Sequence, residues 1–234
     1  MTLDRDQLKR AAAQGALHYV KDGMVLGLGT GSTASFVVHA LGARMATGLK
    51  IVGIPTSERT ATLARSLGIP LATFAEYQRI DLTIDGADEV ERGSLNLIKG
   101  LGGALLREKI VAAASRRLVI VVDQEKLVDR LGDCTPVPVE VVQFGWQSTA
   151  AALEKLGTMP RLRHAAEDHP LITDGGNYIL DCKFGGITDA QSLEHRINSI
   201  VGVVECGLFV GRSSDVIVAT TDGVEVLTPA KENR

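Results

Sequence analysis

The hydrophobic positions change period several times along this chain, and each change predicts an element. Over residues 3–20, Leu8, Ala11, Ala12, Leu17 and Val20 recur near the helical period, which predicts an amphipathic helix with Asp4 as its cap. A Lys21-Asp22-Gly23 turn follows, and the apolar run 24–28 predicts a buried strand. Residues 34–41 return to helical spacing, and 49–54 predict a second strand. Thr56-Ser57-Glu58 opens a helix to about Leu67, with Thr56 or Ser57 as cap, and Gly68-Ile69-Pro70 ends it. Short strands are predicted at 69–74 and 80–84, then an Ala/Leu-rich helix carrying Glu108, then a strand at 117–122.

Strands alternating with helices imply a parallel sheet wound with helices on both faces. After Gly132 the texture changes. The prolines of Thr135-Pro136-Val137-Pro138-Val139-Glu140 block a helix and predict an extended linker. Helices are predicted at 144–156 and 189–199, with strands at 160–164 and 177–182 around the turn 174–177. The last strands fall at 203–210, 215–220 and 224–227, with Asp222-Gly223 as a hairpin turn. The expected fold is α/β: a doubly wound, Rossmann-like parallel sheet with a second, smaller α+β domain. Residues 1–132 plus 206–234 form the main domain, and 133–205 form a small insert that acts as a lid or in oligomerisation.

Composition narrows the class. The chain has 234 residues and a net charge of −3, with no basic block of the kind that tracks a phosphate backbone, so a nucleic-acid partner is not expected. No apolar run approaches the roughly 20 residues of a membrane span, and MTLDRDQLKR lacks the apolar core of a signal peptide. The three cysteines, Cys134, Cys182 and Cys206, are far apart and form no CxxC, as expected for a reducing, cytoplasmic setting. The five histidines show no HxH or HExxH spacing, and there is no GxSxG, so neither a metal nor a serine nucleophile is expected.

The candidate chemistry lies at strand-to-helix junctions. Gly29-Thr30-Gly31-Ser32-Thr33 joins a strand to a helix, the arrangement in which backbone amides and the helix dipole hold a phosphate. It lacks the lysine of a nucleoside-triphosphate loop, and 51–57 lacks the acid of a dinucleotide site, so a small phosphomonoester is favoured. Asp85-Gly86-Ala87-Asp88 ends another strand. In such sheets ligands bind beyond the carboxyl ends of the strands, where the loops at 30–33, 56–57 and 85–88 converge. Lys99, at the end of a short buried strand (Leu97-Ile98) and before Gly100, Leu101 and Gly102, is placed to steady an oxyanion. Glu108 has Ala104, Leu105, Val111 and Ala112 one turn away, and desolvation there raises its pKa toward that of a base. The alternatives are an exposed Arg107-Glu108-Lys109 patch, turn or cap roles for Asp85 and Asp88, and surface roles for Lys126 and Lys9.

Taken together, GTGST at 29–33, DGADE at 85–89, IKG at 98–100 and LREKI at 106–110 resemble the type A ribose-5-phosphate isomerases, in the family's order and spacing. The resemblance extends over essentially the whole chain, including GLF at 207–209 and TTDGV at 220–224. It implies an aldose–ketose isomerase acting through an enediolate, with no cofactor, as a homodimer or homotetramer. It implies Glu108 as general base, Asp85 as the acid that assists ring opening, and Lys99 as the cation at the enediolate. It further implies substrate contacts from Thr30 to Thr33, from Asp85 to Asp88, from Lys99 to Gly102 and from Lys126, with Lys9 near the phosphate. Two departures stand out: Leu101 replaces a glycine of the family's KGGG, and the later loop reads DQEK. Two rivals share the general fold, a sugar-phosphate sensor and a coenzyme A transferase. The sensor needs a helix-turn-helix, for which there is no room before Met24 or after Leu227. The transferase needs a nucleophilic glutamate.

Overall fold

The computed structural model describes residues 4–165 and 169–229. The first residue of the predicted helix 3–20, three residues of the insert and the tail 230–234 lie outside them. The first half of the chain contains α1 (Arg5–Ala16), β1 (Val25–Leu28), α2 (Ser32–Ala46), β2 (Val52–Pro55), α3 (Glu58–Ser66) and β3 (Leu82–Asp85). Next come β4 (Glu89–Glu91), β5 (Leu97–Ile98), α4 (Leu105–Ala113), β6 (Leu118–Asp123) and β7 (Leu127–Val128). The second half contains β8 (Val137–Val141), α5 (Trp146–Glu154), β9 (Arg161–Leu162), β10 (Tyr178–Cys182) and α6 (Ala190–Asn198). The chain closes with β11 (Val203–Cys206), β12 (Leu208–Phe209), β13 (Asp215–Thr220) and β14 (Gly223–Leu227).

The main sheet has the order β14-β13-β6-β3-β1-β2. All its neighbours are parallel except the β13–β14 hairpin. Its inner strands β1, β3 and β6 are buried along their whole length, as continuous apolar runs in a covered parallel sheet must be. Strand alternation divides them between two cores. Val119 and Val121 pack with α1 and α2 on one face, whereas Leu118, Ile120 and Val122 pack with Ala112 of α4 and with Val90, Leu97 and Phe209 on the other. Asp4 closes α1 in a reciprocal capping box with Gln7, and Ser57 caps α3 by accepting from the Thr60 amide.

Four expectations are corrected. Residues 69–74 form no strand: one bridge, Gly53–Leu71, is all that pairs there. The stretch 135–140 is not a linker, because the proline-bearing segment that cannot be helical is already extended, and it pairs as β8 between β10 and β11. The strand expected at 160–164 shrinks to Arg161–Leu162. The strand expected at 203–210 breaks at Gly207, where a Cβ would stand 2.2 Å from the Lys99 carbonyl oxygen. On one side of the break β11 joins the antiparallel sheet β11-β8-β10-β9, and on the other β12 joins the short sheet β12-β5-β4-β7. That short sheet, together with α4, covers the second face of the main sheet.

Candidate active site

From β1 the chain winds outward to β2, then returns to β3 on the other side of β1. The direction of winding reverses between β1 and β3, and the loops leaving their carboxyl ends separate there and open a crevice. A cavity of about 260 Å³ occupies this position. Its wall includes Thr30, Gly31, Ser32 and Thr33 after β1, and Gly86, Ala87 and Asp88 after β3. Lys99, Gly100, Gly102, Glu108, Lys9 and Lys126 also line it.

Two expected residues lie elsewhere. Asp85 is buried behind the wall, and Leu101 is 44% exposed. Leu101 is also unstrained, because the left-handed positions of its loop are Gly100 (φ 108°) and Gly103 (φ 81°). Its amide donates to Asp88 Oδ2 at 2.9 Å, so the leucine leaves the loop geometry intact.

Gly29 explains how Asp85 is seated. A Cβ at Gly29 would lie 2.2 Å from Asp85 Oδ1, so only glycine lets the carboxylate pack against the phosphate-type loop. Asp85 Oδ1 then accepts from the Thr30 amide (3.0 Å) and the Gly86 amide (2.8 Å). The Thr30 hydroxyl donates to Ser57 Oγ at 2.7 Å and lies 2.7 Å from Thr56 Oγ1. Both the amide and the hydroxyl of Thr30 are thus engaged inside the protein. Donors to an anion come instead from the first turn of α2, where the amides of Ser32 and Thr33 have no intrahelical acceptor.

Lys99 holds the polar centre together. Its Nζ donates to the Gly86 carbonyl at 2.6 Å and lies 3.1 Å from Asp85 Oδ2 and 3.4 Å from Glu108 Oε2. Burial alone would strip its charge, but Asp85, Glu108 and Asp88 outweigh that and hold it above the usual lysine range. Burial likewise raises Asp85, against the pull of Lys99. Glu108 is pushed up to about 8, first by burial and then by Asp85 and Asp88, with Lys99 opposing. Glu108 Oε2 is buried without a hydrogen-bond partner, a costly state for a carboxylate oxygen unless a ligand completes it. A high-pKa carboxylate and a charged lysine on one cavity wall can exchange a proton with carbon and steady the oxygen beside it.

Two wall residues escaped the sequence reading, Arg5 and Asp123. Asp123 ends β6 in the carboxyl-end loop that carries Lys126, and the sequence reading singled out only the lysine from that loop. Its side chain caps the short turn that presents Lys126. Arg5, which pairs with Glu125, carries no local signal; only packing of α1 brings it there.

The model of the family described as ribose 5-phosphate isomerase A (phosphoriboisomerase A) matches residues 52–223. A ribose-5-phosphate isomerase A of Gloeobacter violaceus is 61% identical, over 97% of this chain and 99% of its own length. One of Synechococcus sp. is 57% identical, over 95% and 97% respectively. The solved ribose 5-phosphate isomerase A of Methanocaldococcus jannaschii superposes with a TM-score of 0.92 at 43% identity, covering 96% of this chain and all of that one (100%). A D-ribose-5-phosphate isomerase solved in complex with phospho-erythronic acid gives 0.93 at 40% identity, covering 97% and 100%. Agreement in sequence and backbone over nearly the whole length, with a cavity at the switch point of the sheet, establishes that this chain belongs to the ribose 5-phosphate isomerase A family.

Proposed function

We propose that this protein interconverts D-ribose 5-phosphate and D-ribulose 5-phosphate through an enediolate, in the non-oxidative pentose phosphate pathway. The observation that carries the mechanism is the unpartnered Oε2 of Glu108, buried on the cavity wall 3.4 Å from Lys99 Nζ. Glu108 takes the proton from C2 of the open-chain aldose, the O2 hydroxyl proton passes to O1 in the enediolate, and Glu108 returns its proton to C1 as the C2 carbonyl forms. Lys99 stabilises the negative charge that develops on the oxygen during the transfer. Asp85 is one layer behind, so its influence on ring opening runs through Lys99. The phosphate lies against the first turn of α2, near Lys9, Arg5 and Lys126, and its binding positions the reacting carbons. The phosphorylated sugar acid bound to one relative supports a ligand of this class.

The decisive assay is ribulose 5-phosphate formation from ribose 5-phosphate in EDTA, by wild type and Glu108→Gln. Turnover by the wild type alone supports the reading. No turnover by either, while ribose 5-phosphate still raises the Tm, would move a sensing role to the front. No observation favours the coenzyme A transferase reading; its mark would be an acyl adduct on a glutamate.

We read residues 133–205 as the smaller domain, with a role in assembly to a dimer or tetramer. Phe144 (95% exposed), Met159 and Val201 are large apolar side chains left open on it. Analytical ultracentrifugation tests this; a monomer at micromolar concentration would refute it. A cytoplasmic setting is supported by three free cysteines, and no helix among the described residues is long and apolar enough to cross a membrane.

A further inference from the structure

Next to the proposed base in the chain is a second buried lysine that never reaches the cavity. Lys109 Nζ lies 2.8 Å from Glu194 Oε1 on α6 and 2.8 Å from Glu205 Oε1 on β11. It also sits 4.9 Å from the centroid of the Phe209 ring, and Lys99 Nζ sits 5.6 Å from the same centroid. Phe209 is fully buried, and β12 pairs it with Leu97, two residues before Lys99. Glu205 Oε1 is fixed in turn by the Asn198 side chain (2.9 Å) and the Cys206 amide (2.8 Å). Glu194, Glu205 and Cys206 have ligand atoms close enough for a metal, but the Lys109 ammonium already bridges the two carboxylates.

We infer that Lys109 is a positioning residue for the isomerisation: its brace to Glu194 and Glu205 fixes the rotation of α4 and so the placement of Glu108. The inference rests on Glu108 being the base. Successive helical residues point about 100° apart, so Lys109 faces the antiparallel sheet while Glu108 faces Lys99. The N-cap of α4, Ala104, makes no side-chain cap bond, so the start of this nine-residue helix is not held by a cap. A carboxylate about 6 Å from the axis moves about 1 Å for a 10° rotation, and a 1 Å error at a reacting group costs on the order of 10²-fold.

The test compares steady-state isomerisation by Lys109→Met, Lys109→Arg and Glu108→Gln with wild type, at 25 °C and below the Tm of every variant. For Lys109→Met the expected result is a kcat lower by about 10- to 100-fold, with KM within about 3-fold of wild type. Lys109→Arg should recover most of the lost kcat, because it restores a cation between the two acids. If Lys109→Met unfolds, Glu205→Gln is measured in its place, with the same expected split. A kcat within about 3-fold of wild type beside a lowered Tm overturns the inference, since Lys109 is then only a fold brace. So does a raised KM with unchanged kcat. Full activity in Glu108→Gln would instead overturn the base assignment, whatever Lys109 does.

Discussion

Lys99 and Lys109 are built alike and differ in one respect. Both are buried, each lies between two carboxylates, and both lean on the Phe209 ring. Lys109 meets its acids at 2.8 Å each, and one of those acids is bonded three times over. Lys99 stands farther from its acids, at 3.1 and 3.4 Å, and Glu108 is left with an oxygen that nothing completes. A satisfied buried ion pair holds elements in place, whereas an unsatisfied one beside a cavity holds reactivity in reserve. The two lie on the same short stretch of chain, so the stable cluster can align the reactive one.

The comparison can be broken from either end. The largest effect is expected from Glu108→Gln, which keeps shape and removes the proposed base: kcat should fall by at least about 10³-fold while ribose 5-phosphate affinity changes by less than about 5-fold. Loss of affinity in parallel with rate would make Glu108 structural. Next comes Lys109→Met, with its smaller and kcat-confined loss.

Stability gives a third, smaller signal. The pKa of Glu108 is raised on folding, so its contribution to stability is fully present below the ordinary glutamate pKa and is lost as pH rises toward about 8. Glu108→Gln removes that penalty. Its Tm relative to wild type should therefore be higher at pH 9 than at pH 5, by roughly 10 °C for a few kcal/mol in a chain of this size. A pH-independent difference in calorimetry would mean that Glu108 titrates normally. The smallest effect is expected from Leu101→Gly: kcat within about 2-fold, and a loss of about 1 kcal/mol or less from added backbone freedom. A larger change in kcat would show that the exposed leucine contacts the substrate.

Much of this was legible from local pattern. The strands and helices of the main sheet announced themselves by periodicity, and the carboxyl-end rule gathered the loops after β1 and β3. Glu108 and Lys109 were harder. Spacing alone allowed an exposed charged patch, but Glu108 and Lys109 are buried and Arg107 is half-buried, paired with Glu58. The acids that bury Lys109 come from 85 and 96 residues away, and no local window contains them. Strands β4 and β7 were missed because they are only two or three residues long, too short for a period to appear. Thr30 was read as a hydroxyl donor to the ligand, and it does line the cavity. The hydroxyls of Thr56 and Ser57 in the β2–α3 turn and of Thr60 in α3 already engage its own hydroxyl, and no local window around Thr30 contains them.

The central claim is that burial beside Lys99 makes Glu108 a base poised near neutral pH. The most direct test is kcat/KM for ribose 5-phosphate against pH in the wild-type enzyme, which reads the ionisation of the free enzyme. The expected profile rises along a single acid limb with a midpoint near about 8. A rate already flat above pH 5, as an ordinary glutamate would give, would contradict it.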